Sequence, residues 1–235
     1  MRSRRSRVES AGRARVLLRT TRSVLDAAPD GRSLLTPPER RRAEAFEDAA
    51  ACEDFVAAHV LARLAVAGLA DCDPTEVELV QTCPTCGGPH GRPRVVGREG
   101  VRVSWSHAGG AVAAVAATGP CGIDVEPRGA PLDPVLLPQV LTPRERARVG
   151  AAAVPEDEFL RLWMRKEALV KATGRTLDAV LGWDVSRVRG GRLRPRGPGS
   201  AASGPGGERW EAAEQRTATH ACLLLTRPGT VVDWA

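Results

Sequence analysis

The 235-residue sequence has no tyrosine, no asparagine and one isoleucine, Ile123; Phe and Trp together make up 3% of it. A chain this poor in rings lacks the stacking platforms on which single strands of nucleic acid are held, and no nucleic-acid-binding motif stands in for them. Long apolar runs are also missing. The longest, such as AGGAVAAVAA, fall well short of the roughly 20 residues that a membrane-crossing helix needs. No apolar stretch or cleavage pattern follows the basic start, so a secretory leader is not expected. The six cysteines are then expected to be reduced thiols in a chain too long for a disulfide scaffold. These absences point to a cytoplasmic protein with neither nucleic acid nor membrane as partner; a monomer is expected.

Arginine, alanine, glycine and proline are abundant. The net charge is +6, which implies an acidic partner. Much of it lies in MRSRRSRVESAGRAR and in RVRGGRLRPRGPG near residue 190. Residues 1–13 read as a basic disordered tail, and 189–208 as a Gly/Pro/Arg-rich loop. Among 34 basic residues only Lys166 and Lys171 are lysine. Where arginine is the default base, a retained lysine suggests chemistry that a guanidinium cannot do, because arginine never gives up its proton at working pH.

Patterning places these residues on elements. ARVLLRT, residues 14–20, reads as a strand. TPPERRRAEAF reads as a helix start with Thr36 as N-cap. A second helix is expected over about 47–68, where His59 reads as a packed helix histidine. VELVQT and VRVSWSH alternate as strands, and AVAAVAA is a buried strand or a short helix. GPCGIDVEP reads as a strand bounded by Gly122 and Pro127. Asp124 and Glu126, two apart, then point the same way. Paired like charges persist when solvated or when a cation neutralises them, and hard oxygen ligands favour magnesium. A helix is expected from Pro155 to a C-cap at Gly174. It stacks Trp163, Glu167 and Lys171 in an i, i+4, i+8 column, with Lys166 about 100° away, outside that column, where facing a second substrate stays open. CPTCGGPH holds Cys83, Cys86 and His90 at C-x2-C-x3-H spacing. A lone pair of cysteines reads as an unligated turn more readily than as a zinc site.

GIDVEP followed by WMRKEALVKATG resembles the signature of the 4′-phosphopantetheinyl transferases, and HGRP and SWSH resemble further elements of their surfactin-type branch. The resemblance runs over roughly residues 35–225. It implies an α+β fold of two similar α/β halves, 14–118 and 119–235, around a pseudo-twofold axis with the active site between them. It implies a holo-[acyl-carrier-protein] synthase activity: the phosphopantetheine arm of coenzyme A, the substrate, passes to a serine of an acyl or peptidyl carrier protein, and adenosine 3′,5′-bisphosphate leaves. Carriers of polyketide or non-ribosomal peptide synthases are the expected partners. On this resemblance Asp124, Glu126 and Glu167 hold Mg2+, or Mn2+ in its place. Glu167, Lys171 and His107 are catalytic. Arg42, Arg92, Pro93, Ser106, His107 and Lys171 bind coenzyme A. Glu53 and Asp54 stand where the family pattern has bases, which supplies the alternative of a catalytically weak paralogue that binds coenzyme A or carrier protein. A basic nucleic-acid-binding protein is the remote alternative.

Overall fold

The computed structural model describes residues 11–83, 86–89, 91–197 and 208–235. The first strand, β1 (Arg13–Thr20), leads into a short helix α1 (Thr21–Ala27), and then α2 (Pro37–Glu44) and the long α3 (Ala49–Ala70). Strands β2 (Leu79–Gln81), β3 (Pro93–Val95), β4 (Arg102–Ala108), β5 (Ala111–Ala117) and β6 (Cys121–Pro127) follow. After them come α4 (Leu137–Val140), α5 (Pro143–Gly150), α6 (Pro155–Thr173) and α7 (Leu177–Leu181). The chain closes with β7 (Val188–Arg189), β8 (Arg192–Leu193), β9 (Trp210–Arg216), β10 (His220–Thr226) and β11 (Val231–Trp234).

Two sheets dominate. One has the order β11-β1-β5-β4, the other β6-β10-β9-β8-β7, and β2-β3 forms a small ribbon beside them. The same path is drawn twice. A strand (β1 or β6) is followed by a capped short helix (α2 or α5) and a long helix (α3 or α6). A hairpin (β4-β5 or β9-β10) then pairs its second strand antiparallel to the first strand of the unit. This is the expected mixed α and β architecture with two similar halves. The last strand leaves its half and pairs in parallel with β1.

Strand alternation explains how the layers pack. Leu17 of β1 joins the core under α3, while Ala14 and Val16 face the other sheet. Ala221, Leu223 and Leu225 of β10 join the core under α6, while Cys222 and Leu224 join the layer between the sheets. Strand β5 is buried on both faces. A strand covered on both sides carries no polar alternation, which is why AVAAVAA reads equally as strand or helix and folds as strand.

The short helices begin alike. TPPE and TPRE both form capping boxes: Thr36 accepts from Glu39 N and Thr142 from Glu145 N, and each Glu accepts in return from its threonine's amide. Each glutamate also reaches a fully buried cation on the long helix of its half. Glu39 Oε2 is 2.7 Å from Arg63 Nη2, and Glu145 Oε2 is 3.0 Å from Lys166 Nζ. Lys166 is 0% exposed and donates further to the carbonyls of Leu181 (2.9 Å) and Trp183 (2.7 Å). Lys166 is therefore closed off from a second substrate, the facing that its place outside the column had left open. Burial pushes its pKa down while Glu145 and Asp184 hold it up.

Candidate active site

Helix α6 lies directly on β6. A Cβ at Gly122 would stand 2.0 Å from the carbonyl oxygen of Ala168 and 2.7 Å from Ala172 N. Glycine on the strand and alanines on the helix are what permit this approach. Odd-numbered residues of β6 (Cys121, Ile123, Val125) belong to the core between the sheets. Even-numbered Gly122, Asp124 and Glu126 therefore meet α6, as the sequence spacing predicts.

Asp124 is 2% exposed. Its Oδ1 accepts from Lys171 Nζ at 2.7 Å and from Ser106 Oγ at 2.8 Å, and Lys171 Nζ also donates to Ser106 Oγ at 3.0 Å. Its other oxygen, Oδ2, is buried with no hydrogen-bond partner. Glu126 Oε1 accepts from Trp163 Nε1 at 2.9 Å. Burial raises the Glu126 pKa, and Asp124 and Glu167 add to the rise against Trp163 and Lys171. Burial likewise raises the Glu167 pKa, opposed by Lys171 and reinforced by Asp124. Three carboxylates thus share one field with a single lysine. Helix geometry sets this up: Trp163, Glu167 and Lys171 recur at four-residue spacing along one face of α6.

Among the described residues no three His, Cys, Asp or Glu side chains stand close enough to form a metal site as placed. The donor set nevertheless fits a hard divalent cation. The ligand atoms are carboxylate oxygens, one of them is buried and unpartnered, and a net negative charge remains after Lys171 is counted.

Other positions fall around this centre. His107 follows Ser106 on β4 but belongs to the opposite face of the strand. Its outer edge is exposed, yet it is sunk far enough for desolvation to lower its pKa. Asp54 opposes that shift, whereas Lys171 and Arg42 add to it. Arg42 places its guanidinium 5.3 Å over the Phe55 ring. Arg92 crosses from the β2-β3 ribbon to α6, donating to Ala172 O at 3.1 Å and packing on Gly174. With Pro93, Arg94, Lys171 and Arg175 it lines a cleft of about 620 Å³ between the halves. Asp54 is buried, bonded to the Thr21 hydroxyl and at 3.2 Å to the Gly110 amide; Glu53 is exposed. His59 is buried, bonded to Phe55 O at 2.8 Å, and burial lowers its pKa to about 4. His90 lies outside the described residues.

Sequence reasoning did not find one contributor, Ser104, and placed another, Trp163, without its role. Ser104 Oγ accepts from Ile123 N at 3.2 Å and so ties β4 to the free edge of β6. Trp163 orients Glu126, a role signalled only by its place one turn before Glu167.

With Asp124, Glu126, Glu167 and Lys171 gathered between β6 and α6, the comparison with known families is informative. Residues 120–221 match the family model of the 4′-phosphopantetheinyl transferase superfamily. No curated protein matches the chain at a significant level. The phosphopantetheinyl transferase match covers less than half of the 235 residues. It contains all three carboxylates and both lysines, whereas Ser106, His107, Arg42 and Arg92 lie before it. Members of that superfamily act on carrier proteins with coenzyme A.

Proposed function

We propose that this chain transfers the 4′-phosphopantetheine arm of coenzyme A to a serine of an acyl or peptidyl carrier protein and releases adenosine 3′,5′-bisphosphate, as a cytoplasmic monomer of the surfactin-type branch. Carriers of polyketide or non-ribosomal peptide synthases are the substrates it would serve. The observation that carries this reading is the convergence of Asp124, Glu126, Glu167 and Lys171 at the edge of a basic cleft, inside the segment that matches the transferase family.

Phosphoryl transfer needs little covalent help and much neutralisation of charge. Asp124, Glu126 and Glu167 would hold a divalent cation, magnesium first, which when bound supplies Lewis-acid neutralisation of the pyrophosphate. The chain's own groups do the rest. Arg92 and Arg94 bring positive charge to the cleft wall, while Arg42 lines a separate hollow with Phe55 and His59 and adds its positive field to the burial that lowers the His107 pKa. The Glu167 carboxylate, its pKa raised above the usual range by burial, takes the proton from the attacking serine hydroxyl. Lys171 delivers a proton to the departing phosphate oxygen, and Ser106 holds its ammonium beside Asp124 in the meantime.

Asp124→Ala, Glu126→Ala and Glu167→Ala are each expected to lower transfer by at least about 100-fold with unfolding curves close to the parent's. Near-normal turnover in any of the three would remove that residue from the site.

A further inference from the structure

The hairpin at the far edge of the second sheet carries charge for which the transfer reaction has no use. Arg187, Arg189, Arg192, Arg194 and Arg196 are all exposed, while among them Leu193 and Pro195 are buried and Val188 is half-buried. The two-residue period of a strand therefore gives β7-β8 one core face and one face of guanidinium groups. Arg144, at the start of α5, adds a sixth, its Nε 3.6 Å from Asp184 Oδ2. Arg189 and Arg192 stand directly opposite each other in the ladder, an arrangement that destabilises a hairpin. Arg144 above all, then Arg196, hold the Arg187 guanidinium below its usual pKa, with Asp184 the acid that opposes them. Glu211 lies across from Arg192. Six arginines against two acids is an arrangement that an anionic partner would relieve.

The nature of that partner follows from what surrounds the patch. The nearby rings, Trp183 and Trp210, are buried at 6% and 1% exposure, so no aromatic ring there is open for a base to stack on. Rows of exposed forks suit carboxylates, which they can bind in pairs of hydrogen bonds. The patch is also tied to the cleft. Arg175 lines the cleft and lies 5.3 Å over the ring of Trp183, next to Asp184. Lys166 fixes the same segment through the carbonyls of Leu181 and Trp183. A body resting on the arginines would be held at a constant offset from Lys171.

We propose that the arginine face of β7-β8, with Arg144, docks an acidic face of the protein substrate. The proposal rests on the reading that the second substrate is a carrier protein. The decisive comparison is between the native chain and the variant Arg187→Glu/Arg189→Glu/Arg194→Glu. Each is titrated with an apo acyl carrier protein at saturating coenzyme A, then with coenzyme A at saturating carrier, at low and moderate salt. The variant is expected to raise the KM for carrier at least about tenfold, with kcat and the KM for coenzyme A within about twofold. The native KM should also climb with salt more steeply than the variant's. An active variant with an unchanged KM for carrier overturns the docking proposal alone. If the native chain transfers nothing, the reading of function fails, and anisotropy of labelled apo carrier still decides docking. Binding lost in the variant upholds it, and no binding to the native chain overturns it. Labelled single-stranded RNA that binds the native chain and not the variant, with carrier affinity unchanged, would assign the face to nucleic acid instead.

Discussion

Lys166 and Lys171 stand five residues apart on α6 and are kept for different reasons. The Lys171 ammonium reaches both Asp124 and Ser106 at the cleft edge, where under the proposed function it would hand a proton to a leaving phosphate. Lys166 sits in full burial with three acceptors for three protons: Glu145 and two carbonyls. A guanidinium is larger, planar and never neutral, so neither site accepts it, but the failures differ. Lys171→Arg should keep the fold and coenzyme A binding and lose most of kcat, flattening any rise of rate that depends on a donated proton. Lys166→Arg overfills a closed site and should cost stability, about 1–3 kcal/mol, with kcat of the folded fraction near normal. Lys166→Ala strands Glu145 and should cost more, about 3–5 kcal/mol. Denaturant unfolding beside steady-state kinetics separates these outcomes. Equal loss of kcat at constant stability in both arginine variants would place Lys166 in the chemistry after all.

At the scale of elements, the site depends on how closely α6 can approach β6. Gly122→Ala puts a methyl against the backbone of Ala168 and Ala172, where no side-chain rotation can relieve it. The expected cost is at the upper end of about 1–3 kcal/mol. Because α6 must lift, transfer should fall further than stability alone explains. Unchanged stability and rate would mean that this contact does not set the site. Much of this element was legible in the sequence. Pro155 and Gly174 bracket the helix as expected, the G-x-D-x-E spacing gives the inward face of β6, and the four-residue column gives Trp163, Glu167 and Lys171. The partner of Lys166 was not legible. It lies on α5, and only the two capping boxes, TPPE and TPRE, hint that each half repeats a buried cation on a capping glutamate. Asp54 was equally opaque. On a helix it reads as an acid facing phosphate, whereas its bonds to Thr21 and Gly110 are set by the fold of the strands around it.

At the scale of the whole molecule, two similar halves have diverged. The first half buries an arginine and packs His59 against its core. The second carries the carboxylates, Lys171 and the arginine face. The cleft lies where they meet, with Arg92 reaching from the first half to Ala172 of the second. Under the proposed function, such a division would let one half hold a nucleotide while the other carries the reacting groups and docks a protein. It also explains why the family match, confined to 120–221, still contains the chemical centre. Under the proposed function this pair of halves moves a phosphopantetheine arm. The most direct measurement is the intact mass of an apo carrier protein incubated with the chain, coenzyme A and magnesium, with adenosine 3′,5′-bisphosphate assayed in parallel. One added arm per carrier serine is predicted, with an equal amount of bisphosphate, both abolished by chelator. An unmodified carrier under conditions where coenzyme A and carrier both bind the chain would contradict the account.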